Sequence, residues 1–502
     1  MAESSIARVP PPLRMSHTFP AMDRAIPLTD LMFLWADRKE APANVGVVLI
    51  FEPAEGRSAD KAVREVLRAY RATPPTAPFN QLADAPPLGL AHWRDPDAID
   101  MRRHVLRGTL PAPGTIAQLN ERLAELHQGM LDRRRPLFEI HVIDGLESGQ
   151  FAIYVKSHHV SWDGRSAMAR IFGSFSREPG PILAGFHAAP AAADDRGTVD
   201  TGLAHNLRTL VSQAMAMREL YANVAKRISA LRSDPDQPRG NAPFAGPHTR
   251  FNQPVTAERT LGQFTLPLEE LRRIGRAHGG TINDVLLAIV DDGVHRYLRD
   301  LGEPPPAPLV AMCPVSLRQP DDREAGTKAT TLFVKLSSPR SGTAARLREI
   351  VASTTRAKEE QRSMSNEASL DFALLAFGLW LTSHAFGLDA YTKPVVNYVV
   401  SNVGGTKGEN YLGRSRLVGA FPISMIADPA GLNFTTLSHD GRMDVGIIAN
   451  RAALPDAEPL VAHCLAAWRR LSRAKPTQDL SLRKPPARKR SRTRRMPPSQ
   501  RP

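Results

Sequence analysis

Phe151-Ala152-Ile153-Tyr154-Val155-Lys156-Ser157-His158-His159-Val160-Ser161-Trp162-Asp163-Gly164 is the stretch that decides how this chain folds and where its chemistry lies. Phe151, Ile153 and Val155 alternate with Ala152, Tyr154 and Lys156, the period of two expected of a strand with one face in a core. Beyond Gly164, Met168, Ile171 and Phe172 recur at helical spacing, so a strand hands a polar turn to the start of a helix. Neighbouring side chains on extended backbone point to opposite sides, so His158 and His159 cannot share one task; one works while the other packs. A neutral imidazole takes a proton near physiological pH, and a hydroxyl that surrenders one becomes able to attack a carbonyl. Asp163 either orients an imidazole or closes the turn by pairing with an arginine elsewhere, the second role being preferred. The plain alternative is a set of hydrogen-bonded turn residues.

Upstream, residues 139–143 and 150–157 read as a hairpin joined by the turn residues 145–149. A helix at 115–131 carries Leu119, Leu123, Leu126 and Met130 on one face, and Pro136 follows its end. Residues 60–71 form a further helix. Residues 45–51 form a strand ended by Pro53, and Thr29 caps a short helix carrying Leu31, Met32, Leu34 and Trp35. The chain divides into an unstructured start at 1–25, a first domain at 26–185, a helical linker at 186–250, a second domain at 251–475 and a basic tail at 476–502. Linker composition at 188–197 and 233–247 brackets one amphipathic helix at 203–231.

The second domain opens with a strand at 259–266 and a helix at 268–278. Thr281 and Asp284 then have the spacing of a capping box, which gives Asp284 a structural role. Asn283 lies in the first turn of the helix that follows, where donors converge; it either assists an oxyanion or bonds locally. Strands are expected at 310–317, 330–336, 395–400, 431–438 and 443–448, with a last helix at 456–471. Arg318, ending the first of these strands, is the candidate partner of Asp163, since a guanidinium clamps a carboxylate through two parallel bonds.

At 502 residues, 42% hydrophobic and 23% charged, the chain is long enough for two domains and a large core. Two cysteines, Cys313 and Cys464, supply neither a disulfide framework nor a thiolate metal site, and the start lacks the apolar run of a secretory signal. A cytoplasmic location is expected. The uncharged run at 372–388 is shorter than the roughly 20 apolar residues that span a bilayer. The net charge is +14, and nine of the positives lie between Arg483 and Arg501 with no acid among them, leaving +5 for the rest. The basicity therefore describes a tail, and no specific nucleic-acid partner is implied.

The turn matches His-His-x-x-x-Asp-Gly and resembles the CoA-dependent acyltransferase superfamily. From about residue 26 to 470 the chain resembles its wax ester synthase/diacylglycerol acyltransferase branch. Pro136-Leu137-Phe138-Glu139 stands where that family usually has Pro-Leu-Trp-Glu. Ile282-Asn283-Asp284-Val285 is similar to its Asn-Asp block, and Pro314–Arg318 and Val400-Ser401-Asn402-Val403 to two further blocks. The resemblance implies an α/β fold with mixed sheets: two chloramphenicol acetyltransferase-like domains joined by the helical linker, with the active site in the cleft between them. It makes His159 the general base acting on an alcohol that attacks a fatty acyl-CoA thioester, with His158 in support and Gly164 and Arg318 structural. Pro136, Leu137, Phe138, Ser401 and Asn402 become substrate-binding candidates. No cofactor is required beyond acyl-CoA as substrate, and the acceptor is a lipid alcohol: diacylglycerol, a long-chain fatty alcohol or another. Nothing in the sequence sets acyl chain length or oligomeric state. Peripheral contact with the inner face of the membrane or with lipid inclusions, through the basic tail, is expected. Two alternatives keep the fold: an amide-forming condensation enzyme and a non-catalytic lipid-surface protein. Phe138 in place of Trp, and Gly404 where proline is common, are this chain's departures from the family pattern.

Overall fold

The computed structural model describes residues 24–26, 28–84, 91–161, 164–188, 244–316, 329–362 and 393–474. Strands of the first half are β1 (Arg24–Ala25), β2 (Asn44–Glu52), β3 (Leu82–Asp84), β4 (His92–Arg94), β5 (Val105–Thr109), β6 (Phe138–Asp144) and β7 (Phe151–His158). Those of the second half are β8 (Arg259–Pro267), β9 (Val310–Ser316), β10 (Ala329–Lys335), β11 (Tyr398–Thr406), β12 (Tyr411–Leu412), β13 (Ser415–Ile423), β14 (Leu432–His439) and β15 (Arg442–Asn450). The described α-helices are α1 (Leu28–Ala36), α2 (Ala59–Ala72), α3 (Ile116–Gln128), α4 (Gly164–Gly173), α5 (Leu268–Ala277), α6 (Ile282–Asp300), α7 (Thr343–Arg362) and α8 (Glu458–Arg473). Two large mixed sheets result, ordered β12-β13-β2-β7-β6-β5 and β10-β9-β11-β14-β15-β8, beside a small β1-β4-β3 sheet. This is the mixed α/β class that the sequence implies.

The 151–158 strand is buried on both faces, which corrects the expectation of a single buried face. Phe151, Ile153 and Val155 pack with Val47, Leu49 and Phe51 of β2 and with Val63 and Val66 of α2. On the other face Ala152 and Tyr154 lie under Leu119 and Leu123 of α3. Lys156 shares that face. It tolerates burial because its ammonium donates to the carbonyls of Leu126 (2.8 Å) and Gly129 (2.6 Å), which the end of α3 leaves without helical partners. The helix begins on a Thr115–Gln118 capping box, as a run opening at 115 requires. It stops at Gln128, earlier than the apolar pattern suggests. The Asn44 amide donates to the carbonyls of His127 and Gly129, both at 2.8 Å, and the chain turns away, leaving Met130 42% exposed.

In the second half α6 runs through the core, with Val285, Ile289, Val294 and Leu298 fully buried against β-strand and helix side chains. Gly293 lets α8 approach closely, since a Cβ there would overlap the Cys464 sulfur.

The division at residue 251 is not a division between sheets. β13, which no sequence pattern announced, joins the first sheet antiparallel to β2, from Arg416 opposite Glu52 to Ile423 opposite Gly46. At the other boundary, Phe186 and His187 belong to the first half; both are buried, and the His187 Nε2 donates to the Thr73 carbonyl at 3.1 Å. β13 also abuts β15 of the second sheet. Asp444 of β15 accepts the Ala420 N–H of β13 and the Thr265 hydroxyl of β8, each at 2.6 Å, and pairs with the His439 Nε2 at 2.6 Å. A Cβ at Gly446 would collide with the Pro422 carbonyl, so the two backbones meet here without intervening side chains. The linker helix, the 372–388 run and the basic tail lie outside the described residues. Among the described residues no helix is long and apolar enough to cross a membrane.

Candidate active site

β7 ends on His158, opposite Asn44 of β2, and the chain then turns. The main chain of the turn is fastened on both sides: His158 N–H donates to the Leu137 carbonyl at 3.0 Å, and His159 N–H to the Ala43 carbonyl at 2.9 Å. His158 is buried. Its Nδ1 accepts the Val160 N–H at 3.1 Å, so the neutral ring carries its proton on Nε2, which faces the Asp37 carboxylate at 3.5 Å. With Nδ1 bonded to the turn and Nε2 buried and aimed at Asp37, His158 presents no ring nitrogen at the surface. His159 is only partly buried, and its ring stacks on Phe33 of α1 with centroids 3.8 Å apart and planes 14° apart.

Asp37 follows α1 directly. Its Oδ1 accepts the Ala43 N–H at 3.0 Å and its Oδ2 accepts from Arg133 at 2.9 Å. Burial alone would raise this carboxyl. Hydrogen bonding from His158, the Ala43 N–H and Arg133 outweighs that and holds it below the ordinary carboxylate value.

Pro136, Leu137 and Phe138, the substrate-binding candidates of the sequence, are buried. Phe138 opens β6, the strand between β7 and the edge strand β5, where it stacks on His104 (4.3 Å) and meets Phe79 edge-on (4.9 Å). Leu137 packs with Leu34, Trp93 and Val160, and its carbonyl accepts both the His158 N–H and the Ser157 hydroxyl, each at 3.0 Å. The block braces the histidine turn from behind.

From the second sheet, β11 reaches the same turn. Gly164, at the start of α4, has Val403 of β11 as its neighbour; a Cβ there would lie 3.5 Å from Val403. The residue before Val403 is Asn402, whose Nδ2 donates to Asn283 Oδ1 at 2.6 Å. Asn402 Oδ1 in turn accepts the Thr436 hydroxyl at 3.2 Å, and the Ser401 carbonyl lies 3.4 Å from that same hydroxyl. Asn283 and Asn402 are both exposed. Asp284 points the other way: it is buried, closes the capping box with Thr281 through Oδ2, and accepts the Thr354 hydroxyl at 2.6 Å through Oδ1. The structure therefore brings Gly164 against Val403 of β11 and Asn402 of the same strand against Asn283, with His159 in the turn five residues before Gly164. Asp163 and Arg318 lie outside the described residues. Phe33, Asp37, Ala43 and Thr436 are the participants that sequence patterns did not single out.

A histidine turn at the end of a central strand, with a strand of a second sheet packed against the helix that follows it, marks an acyltransferase of the two-sheet, histidine-turn class. The fold alone is shared with the first condensation domain of the CDA synthetase (TM-score 0.52, 16% identity, 91% of this chain and 98% of that one). A family model for the wax ester synthase/diacylglycerol acyltransferase catalytic domain matches residues 27–286, and one for the WS/DGAT C-terminal domain matches residues 325–472. A putative diacylglycerol O-acyltransferase of Mycobacterium bovis and a probable one of Mycobacterium tuberculosis are each 31% identical over 459 residues, 90% of this chain and 99% of theirs. The wax ester synthase/diacylglycerol acyltransferase from Marinobacter aquaeolei VT8 superposes with a TM-score of 0.71 at 27% identity, covering 89% of this chain and 98% of that one. The chain belongs to the wax ester synthase/diacylglycerol acyltransferase family.

Proposed function

We propose that this enzyme transfers a fatty acyl group from acyl-CoA to the hydroxyl of a lipid alcohol, giving triacylglycerol from diacylglycerol or a wax ester from a long-chain alcohol. His159 accepts the alcohol proton as the oxygen attacks the thioester carbonyl. The tetrahedral oxyanion collapses with cleavage of the carbon–sulfur bond, and the proton passes from His159 to the departing CoA thiolate. A positioned base contributes about 10²–10⁴-fold and one oxyanion donor about 10²–10³-fold. No prosthetic group is needed, because the thioester is already activated.

The observation that carries this reading is the Asn402–Asn283 hydrogen bond. By occupying Asn283 Oδ1 it leaves the Asn283 Nδ2 hydrogens on an exposed side chain as the donors this proposal assigns to the oxyanion. The alternative of amide formation rests on a likeness that concerns the fold alone. The test is a product profile from purified protein given palmitoyl-CoA with diacylglycerol, hexadecanol or a sterol. Ester formation with one acceptor supports the reading, and absence of turnover with all three refutes it.

Two finer elements belong to the same proposal. Asp163 and Arg318 clamp the turn as an ion pair, so the effects of Asp163→Asn and Arg318→Ala should be non-additive in a double-mutant cycle. The basic tail tethers the enzyme to anionic membranes or lipid inclusions, at on the order of 1 kcal/mol per basic residue near the surface. Truncation after Gln478 should weaken co-sedimentation with anionic vesicles at low salt while leaving turnover on detergent-dispersed substrate unchanged.

A further inference from the structure

Helix α1 and the residue after it hold the histidine turn at three points. One helical turn before Asp37, Phe33 lies flat against the His159 ring at 3.8 Å. Asp37 itself receives the Ala43 N–H at 3.0 Å, while the carbonyl of that same residue accepts the His159 N–H at 2.9 Å. Its second oxygen faces the His158 Nε2 at 3.5 Å and receives Arg133 at 2.9 Å. Arg133 also donates to the Leu34 carbonyl at 2.9 Å, which pins the end of α1 to the turn after α3. The Asp37 side chain is 4% exposed, so these groups, and not water, satisfy it.

We propose that Asp37 is a positioning residue for the acyl transfer: through Ala43 it fixes the main chain of His159, and through His158 it fixes the packing on which the turn rests. A buried carboxylate with a hydrogen-bonded partner on each oxygen and the His158 ring against it has one orientation, and the peptide it holds has little freedom to shift. Displacement of a reacting group by about 1 Å costs on the order of 10²-fold in rate, so a carboxylate that never touches substrate still controls turnover. The charged groups that face Asp37 are Arg133 from the turn after α3 and Lys156 from β7, and the titratable His158 ring packs against it. This inference rests on His159 acting as the general base.

The experiment compares Asp37→Asn, Asp37→Ala and His159→Ala in the full-length enzyme, with palmitoyl-CoA and the acceptor found to be productive. Asparagine retains an oxygen for the Ala43 N–H but loses the charge toward Arg133 and His158; alanine loses both. The expected result is a fall in kcat of about tenfold for Asp37→Asn and about 10²-fold for Asp37→Ala, with KM for palmitoyl-CoA within about twofold of wild type. The Asp37→Asn/His159→Ala double variant should be no slower than His159→Ala alone, since a positioning residue has nothing left to position. Should Asp37→Ala fail to fold, Asp37→Asn decides the matter. Wild-type kcat in a folded Asp37→Asn, a loss confined to KM, or additivity in the double variant overturns the inference while leaving His159 as base. Near-normal turnover by a folded His159→Ala removes the base and this inference with it.

Discussion

Asn402 donates to Asn283 across 2.6 Å, from a strand of the second sheet to the first turn of α6, and Thr436 donates to Asn402 from the other side. The direction of that relay sets which end of the exposed Asn283 amide is taken by Asn402 and which end is the donor assigned to the oxyanion in the proposed mechanism. Asn283→Ala should therefore lower kcat by about 10²–10³-fold with little change in apparent acyl-CoA affinity. Asn402→Asp is the sharper probe. A carboxylate at 402 has no N–H to give and draws the Asn283 Nδ2 toward itself, so it should cost nearly as much as removing Asn283, as measured by kcat at saturating substrates. Wild-type turnover in Asn402→Asp would refute the orientation argued here.

His159→Ala should abolish most turnover, by about 10²–10⁴-fold, while leaving circular dichroism and melting temperature close to wild type, because the side chain is partly exposed. His158→Ala should show the reverse balance. Its ring is buried beside Asp37, so its removal lowers the melting temperature and reduces kcat less than the loss of His159 does. Assaying both variants for activity and thermal unfolding distinguishes the two histidines.

Acid should weaken the first half of the molecule through His187, which burial pushes down to about 4 from an ordinary value of about 6.5. Below pH 6.5 the unfolded chain binds a proton at this position that the folded chain refuses. Stability is therefore lost as pH falls from about 6.5 to about 4, by up to about 3 kcal/mol, and no further below that. His187→Gln should flatten this decline. Urea unfolding of both proteins at pH 7 and pH 4.5 gives the comparison; equal slopes would show that the group does not titrate as described.

Two adjacent glycines should behave oppositely. At Gly405 an added Cβ would strike the Ser438 carbonyl, where β11 runs closely beside β14 after its irregular pairing, whereas at Gly404 it would meet nothing within 4 Å. Gly405→Ala should destabilise by roughly 1–3 kcal/mol, as overpacking does. Gly404→Ala should leave the melting temperature within about a degree of wild type, as surface substitutions away from such features do.

The histidine turn, the capping box at Thr281 and the hairpin before the turn were legible because each is written in consecutive residues whose local geometry implies the rest. β13 was not. Gly419 and Pro422 read as breakers, yet the strand uses both: Gly419 lies under the Phe421 ring, and the Pro422 carbonyl sits against Gly446. Asp37 was equally hidden. An acid at the end of a helix ordinarily sits in water against an unfavourable dipole, and only the arrival of Arg133 and His158 from distant parts of the chain makes it a buried group. The surroundings of Phe138 were not legible for the opposite reason: its motif is recognisable, but a motif does not say that its ring stacks on His104 and meets Phe79.

The place of β13 beside β2 also constrains how the polypeptide matures on the ribosome. When the first three hundred residues have been synthesised, β2 still exposes an unpaired row of N–H and C=O groups, since the strand that covers it is more than a hundred residues from being made. The nascent chain must carry this open edge until residue 423 emerges, which makes that interval its period of greatest exposure to aggregation. A protein cut between its halves would have to solve the same problem with two molecules: the amino-terminal fragment alone should be insoluble, and soluble only when the piece bearing residues 411–423 is produced with it.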